Sequence, residues 1–375
     1  MKIRAAVLSQ MGTPGPYAKT RPLTIEELDL APPGYGEALV KIEAAGLCHS
    51  DLSVINGDRP SPLPMVLGHE AAGVVEQLGD GVTDLVPGDH VILVFVPSCG
   101  HCSPCAEGRP ALCEPGFAAN SAGTLLGGAR RLSRNGVPIN HLLGCAAFAE
   151  YATVSRRSLV KIDKALPMAE AALFGCAVMT GVGAVVNTAQ VRAGASTAVI
   201  GLGGVGLASV LGAKAAGARQ IVAVDLSDEK LELAKSLGAT HTFNASAPDT
   251  VEKIREATSG GVEYAFELAG SARALESAYK ITRRGGTTVT AGLPPPTATM
   301  PLSPLNLVAE ERTLKGSYIG TCVPSRDIPR YVALYQQGKL AVDRLMTGTL
   351  KLDQINEGFD LLHEGKAVRQ VILFD

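Results

Sequence analysis

The chain lacks the features that would send it to nucleic acid, to a membrane or to a secreted scaffold. Its 375 residues carry 34 basic and 36 acidic side chains, a net charge of −2, which gives no electrostatic case for nucleic acid or an anionic membrane surface. The opening Met-Lys-Ile-Arg is followed by only a short apolar run, which is not the pattern of a signal peptide. No internal repeat and no low-complexity tract occurs. Two uncharged windows, 171–191 and 193–213, are each broken by glycines, so a soluble strand-turn-helix reading is preferred to a membrane span. Eight cysteines in so long a chain are not a disulfide scaffold, and their spacing suggests metal in a reducing cytoplasm. The length predicts two domains.

What is present divides along the chain. Residues 1 to about 175 are β-rich, with strands expected at 4–8, 37–44, 68–78 and 90–96 between Pro and Gly turns. From Glu170 strands alternate with helices. Strands are expected at 197–201, 220–225, 241–244, 263–268, 287–292 and 313–318, with helices such as 228–237 and 251–258 between them. Six strands in two βαβαβ halves make a doubly wound parallel sheet. Two helical segments, 327–337 and 353–362, and a final strand, 369–374, are expected to return to the first domain.

The strongest long motif is Thr197-Ala-Val-Ile-Gly201-Leu-Gly203-Gly204-Val205-Gly206, followed by an Ala-rich helix and a strand ending in Asp225. Strand, tight turn, helix, strand and acid together form a dinucleotide-binding fingerprint. Gly201 permits the turn, Gly203 lets a pyrophosphate approach, and Gly206 lets the helix pack on the strand. The helix N-terminus favours the phosphates. Asp225 suits a ribose diol and repels a 2′-phosphate, so NAD is expected over NADP.

Cys99-x2-Cys102-x2-Cys105-x7-Cys113 sits in a loop rich in Gly, Pro and Ser. Four thiolates at this spacing can enclose one tetrahedral zinc as a closed structural site. Disulfides would be strained at such spacing, the run differs from the usual iron–sulfur pattern, and Arg109 alone is basic between Cys99 and Cys113, which disfavours a nucleic-acid ribbon. A second, dispersed set comprises Gly46-Leu-Cys48-His49-Ser50-Asp51, Gly68-His69-Glu70 and Gly175-Cys176. Singly these read as buried small hydrophobes, a structural histidine or a helix N-cap pair; together they contain enough donors for a catalytic zinc with an open position.

With Gly68-His69-Glu70-Ala-Ala-Gly73, Pro87-Gly88-Asp89-His90-Val91, Cys176-Ala-Val-Met-Thr180-Gly and Ile355-Asn-Glu-Gly-Phe359 added, the whole chain resembles the zinc-dependent medium-chain alcohol dehydrogenases. The resemblance implies an α/β plus β fold, with a Rossmann domain inserted in a GroES-like β-rich catalytic domain. The expected boundaries are 1–178, including a zinc lobe at about 97–115, then 179–319 and 320–375. It implies that Cys48, His69 and Cys176 hold the catalytic zinc, that Glu70 exchanges onto it, that Asp51 orients His69, and that Ser50 relays the hydroxyl proton. Thr180 would touch the nicotinamide, His49 and Arg369 the pyrophosphate, and Lys230 the adenosine ribose, although a solvated helix face is as good a reading of Lys230. Phe95, Leu142, Leu143, Leu293 and Tyr318 would line the substrate pocket, or be ordinary core.

Two zinc ions, NAD, a small alcohol or aldehyde and no nucleic acid or membrane are the implied partners. The site would lie in a cleft between the domains. The long segment 114–141 resembles the dimeric members, with the strand around 314–319 pairing across a homodimer. Many relatives carry a histidine where this chain has Ser53. A dehydrogenase of S-hydroxymethyl thiol adducts is a close alternative, disfavoured because no Lys or Arg lies between Cys113 and Arg130. A non-enzymic NAD-binding redox sensor is the alternative from another class. Cys145 and Cys322 are expected to be buried without a role.

Overall fold

A computed structural model describes residues 1–374, which fall into two compact units. The first comprises Met1–Cys176, Val323–Pro329 and Met346–Asp375; the second comprises Ala177–Cys322 and Arg330–Leu345. The expectation placed the whole of 320–375 with the first domain, whereas 330–345 cluster with the nucleotide-type unit.

In the first unit, strands Lys2–Leu8, Leu23–Leu30, Leu132–Arg134, Val137–His141 and Met65–Val66 close a barrel. Ile3, Ala5, Val7, Leu28, Val66, Leu132 and Ile139 fill a core cluster there, following the two-residue period of strands with one buried face. A second sheet is built around strand Glu37–Gly46, which pairs with Glu70–Leu78 on one side and Gln370–Leu373 on the other. Strand Leu23–Leu30 was not expected. Glu26 and Glu27 interrupt its apolar pattern, yet it pairs with Lys2–Leu8 along its length, and Glu26 is neutralised by Arg134. The segment 114–141 is not a plain loop. It holds the helix Glu114–Ala122, ended by Gly123 at φ 66°, and two strands of the barrel.

His141, at the end of one of those strands, is 1 % exposed. Its Nε2 accepts the Arg131 N–H at 3.0 Å. Burial, helped by the positive charges of Arg130 and Arg131, pushes its pKa down to about 3. Below the ordinary value of 6.5 the unfolded chain takes a proton here that the folded chain refuses. Stability should therefore fall as pH drops from 6.5 toward 3, by about 1.4 kcal/mol per unit from this group. His141→Gln keeps an acceptor and removes the titration. Denaturant unfolding of the two proteins between pH 6 and pH 4 should give a flatter pH dependence for the variant; equal slopes would contradict the assignment.

In the second unit the six strands are His241–Asn244, Gln220–Asp225, Ser196–Ile200, Val262–Glu267, Thr282–Thr290 and Thr313–Gly316, in that spatial order, all parallel. In sequence terms this is 3-2-1-4-5-6, the dinucleotide-binding order with its switch point between Ser196–Ile200 and Val262–Glu267. The last strand ends at Gly316 rather than 318, and Ile319–Thr321 form a 3₁₀ turn.

The stretch Met168–Ala189 is apolar and long enough to cross a membrane, but 78 % of its apolar window is buried inside the fold. It is a core helix, interrupted by π-helical turns at Phe174–Val178 and Ala184–Ala189.

Candidate active site

Strand Glu37–Gly46 delivers the chain to Cys48, whose extended backbone makes it the N-cap of helix His49–Ile55. His69 immediately precedes strand Glu70–Leu78. Cys176 lies in the first π-helical turn, a local widening of the helix of a kind frequent at functional positions. Folding brings these three together: the Sγ atoms of Cys48 and Cys176 and a ring nitrogen of His69 lie within 4.8 Å of one another, and all three residues are buried. All of them belong to the first unit.

Asp51 fixes the histidine. Its carboxylate is fully buried; Oδ1 accepts the Gly68 N–H at 3.0 Å and Oδ2 lies 3.1 Å from His69 Nδ1. The Asp51 side chain makes no cap hydrogen bond to its own helix, so the N-cap alternative fails. With Nδ1 facing Asp51, Nε2 is the ring nitrogen left to serve as a ligand, and the ring is buried. Two thiols and an imidazole are the Cys₂His donor set of zinc with one position left open, so these residues fit such an ion.

The buried donors act strongly on one another's ionisation. The Cys48 thiol is held well below its ordinary range by a hydrogen bond from Cys176 and by the charges of Arg369 and His69, and the same hydrogen bond pushes Cys176 up. Burial pulls the His69 pKa down, but Asp51 and Cys48 together more than offset it, and the net direction is upward. Glu70 is completely buried, and burial raises its pKa to about 7 against the opposing pull of Arg369. Gly46, its cross-strand partner, makes room for it: a Cβ there would sit 2.6 Å from Glu70 Oε1.

Arg369 was expected at a pyrophosphate. Its guanidinium is 3 % exposed, donates to the Leu47 carbonyl at 3.1 Å and lies 3.7 Å from Glu70 Oε2. Nothing in the motif signalled this pairing. His49 is exposed and Ser50 half-buried, at the first two positions of the helix.

Of the expected pocket residues, Phe95 stands edge-on to His69, with ring centroids 5.1 Å apart. Asn120, missed in the sequence because its helix read as loop, donates to the Phe95 carbonyl at 2.9 Å. Leu142 is buried and Leu143 adopts φ 52°. Leu293 and Tyr318 belong to the second unit and are exposed.

The sulfurs of Cys99, Cys102, Cys105 and Cys113 also lie within 4.8 Å of one another. All eight cysteines are free thiols. Cys99 Sγ accepts N–H groups from His101 and Cys102, which lower its pKa to about 6, and Cys113 Sγ accepts from Cys99 and Gly116. Backbone donors aimed at sulfur favour thiolates, as a Cys₄ zinc site needs, while burial raises Cys113 and pushes Cys105 up to about 12. Cys145 and Cys322 are buried.

In the second unit Gly201 turns at φ 91°, and a Cβ on Gly206 would overlap the Gly201 carbonyl, so only glycine allows this helix to start here. A Cβ on Gly203 would meet nothing within 4 Å, which leaves the space a pyrophosphate needs. Gly204 and Val205 open the helix Gly204–Ala215. Asp225 Oδ2 accepts the Leu202 N–H at 2.6 Å and Oδ1 the Ser227 N–H at 3.0 Å, so the acid is braced against the glycine turn. A cavity of about 500 Å³ opens there, lined by Gly201, Asp225, Ala269 and Arg273. Lys230 is half-buried in the first turn of helix Asp228–Leu237. Thr180 lies in a helix whose Gly181 carbonyl accepts from Ser209 of the fingerprint helix at 2.9 Å.

A barrel-bearing unit with a buried Cys₂His donor set and a parallel sheet with a glycine turn together define a nucleotide-dependent zinc dehydrogenase. Comparison with known families agrees. An alcohol dehydrogenase GroES-like domain matches residues 34–164 and a zinc-binding dehydrogenase domain matches residues 204–337. The structure is similar to an alcohol dehydrogenase zinc-binding domain protein from Burkholderia ambifaria, at 37 % identity and TM-score 0.94, covering 100 % of this chain and 99 % of that one. It is similar to benzyl alcohol dehydrogenase from Acinetobacter calcoaceticus, at 35 % identity and TM-score 0.93, over 100 % of both chains. A Sinorhizobium meliloti 1021 protein bound to NADP matches at 27 % identity and TM-score 0.82, also over 100 % of both. The chain belongs to the zinc-dependent medium-chain alcohol dehydrogenase family and is an oxidoreductase.

Proposed function

We propose that this enzyme interconverts primary alcohols, aliphatic or aromatic, and their aldehydes with NAD as the hydride partner. The observation that carries the reading is the buried set Cys48, His69 and Cys176, whose donor atoms lie within 4.8 Å of one another. Asp225 at the glycine turn supports NAD over NADP, because a 2′-phosphate would meet its charge. Phe95 against His69 gives the metal side an apolar wall that suits an aromatic tail, and the similarity to a benzyl alcohol dehydrogenase supports the same substrate class.

Zinc held by Cys48, His69 and Cys176 would supply Lewis acidity, which makes an alcohol hydroxyl easier to ionise and polarises an aldehyde. Asp51 keeps the proton on His69 Nδ1 and the Nε2 lone pair directed at the donor set. Ser50 would accept the hydroxyl proton and pass its own on to water or a ribose hydroxyl. Beyond it the relay meets Ser53, whose Oγ donates to the His49 carbonyl at 2.8 Å, so no ionisable side chain stands at that position. Glu70 and Arg369 form a buried pair beside the donors, and Glu70 would be the residue to exchange onto the zinc. Thr180 and the Gly201–Gly206 turn orient the dinucleotide, while His49, Arg369 and Lys230 remain proposed contacts. Cys99, Cys102, Cys105 and Cys113 would hold a second, structural zinc. The exposed edge strand Thr313–Gly316 is the proposed homodimer seam.

The test is a substrate panel of short-chain, long-chain, aromatic and hydroxymethyl-thiol compounds, read as NADH formation. Benzyl alcohol and simple primary alcohols should turn over, and the hydroxymethyl-thiol adduct should not be preferred. No turnover of any alcohol would overturn the reading.

A further inference from the structure

Glu267 ends the fourth strand of the parallel sheet, opposite Ile200 on one side and Thr290 on the other. It is therefore at the switch point, next to the residue that enters the glycine turn. It is 1 % exposed, and among the described residues no cation is paired with it. A buried carboxylate without a cation needs hydrogen-bond donors to offset its lost hydration. Glu267 draws them from the loop after its own strand and from the end of the neighbouring strand. Oε1 accepts the N–H groups of Gly270 at 2.6 Å and Ser271 at 3.2 Å, and Oε2 accepts the Thr290 hydroxyl at 2.7 Å. Its own carbonyl accepts Ala291 N–H at 3.0 Å and Gly292 N–H at 3.2 Å.

The loops so tied are pressed together. A Cβ on Gly292 would strike Gly270, and a Cβ on Gly270 would lie 3.3 Å from the Leu293 backbone nitrogen. The first loop also lies against the fingerprint: a Cβ on Gly201 would sit 2.5 Å from Ala269 N. Ligands of such sheets bind outside the carboxyl ends of the strands at the switch point. Glu267 thus ties the segments there: its carboxylate holds the loop 268–271, which lies against the glycine turn, to Thr290 at the end of the next strand, and its carbonyl holds 291–292.

We propose that Glu267 is a positioning residue for the dinucleotide, acting through these two loops rather than by touching the cofactor. The proposal rests on the dinucleotide reading given above. Without the carboxylate the loop 268–271 loses its anchor to Thr290, and cofactor binding must supply the ordering that Glu267 supplies in advance.

The test is titration of NADH by its own fluorescence against Glu267→Ala, Glu267→Gln and Thr290→Val, with zinc content and melting temperature measured on each. Glu267→Ala should weaken NADH binding about tenfold and raise KM for NAD similarly, with kcat at saturating NAD within about threefold and zinc content unchanged. Glu267→Gln retains an acceptor for both N–H groups and should stay within about threefold of the parent enzyme. If the Ala variant does not fold, Thr290→Val decides, with NADH binding weakened about threefold. A folded Ala variant with a lower melting temperature but unaltered NADH affinity would overturn the proposal, as would unaltered affinity in Thr290→Val. Failure of the parent enzyme to bind NADH would sink the dinucleotide reading itself.

Discussion

Cys176→Ala is expected to abolish alcohol-dependent NADH formation, by at least about a thousandfold, while leaving the chain folded. The side chain is small and sits inside a core helix, so its loss leaves little void. What it removes is one of two thiolates in a three-donor set. Cys48 and His69 alone form a weak site, and without the metal nothing in the pocket replaces a Lewis acid at the alcohol oxygen. The four-cysteine lobe draws on none of these residues, so its zinc should remain. Initial rates with benzyl alcohol and NAD, beside a thermal melt, check this. Turnover within tenfold of the parent enzyme would mean that Cys176 is not a ligand.

Asp225→Gly should lower the preference for NAD over NADP by about ten- to a hundredfold. Two effects combine. The variant loses the acid that would receive the ribose diol, and it removes the charge that a 2′-phosphate would meet. The structure adds a third consequence. Asp225 Oδ2 also accepts the Leu202 N–H inside the glycine turn, so the glycine variant loosens the turn and weakens both nucleotides. Asp225→Asn separates the contributions, because its amide oxygen can still accept from Leu202 while the charge is gone. Ratios of kcat/KM for NAD and NADP in the two variants measure this. An unchanged ratio in both would remove Asp225 from cofactor selection.

How much of this was legible in the sequence depended on whether a signal was local. The glycine turn and the four-cysteine lobe are each encoded within a few residues, and spacing alone pointed to them. The parallel strands were legible because they are short β-branched runs between helical patterns, and 220–225 and 241–244 fall where expected. Cys48, His69 and Cys176 are far apart in the chain, so their convergence was implied by family resemblance and not by spacing. Strand Leu23–Leu30 was hidden by Glu26 and Glu27, whose charges are answered by tertiary contacts no local pattern contains. The helix Glu114–Ala122 was hidden among small residues with little apolar periodicity. Arg369 and Glu267 show the same limit at the site. Each is an ordinary charged residue at one end of a strand, and only folding reveals that one faces Glu70 and the other two backbone N–H groups and a hydroxyl.

The central claim is that two separate sets of side chains are built to hold metal, one closed and structural, one open and catalytic. Metal analysis of the purified enzyme, made together with a benzyl alcohol assay on the same sample, tests it most directly. The account predicts two zinc ions per chain with NADH formation, and one zinc ion in Cys176→Ala. One zinc per chain in the parent enzyme, with no turnover across the alcohol panel, would contradict it.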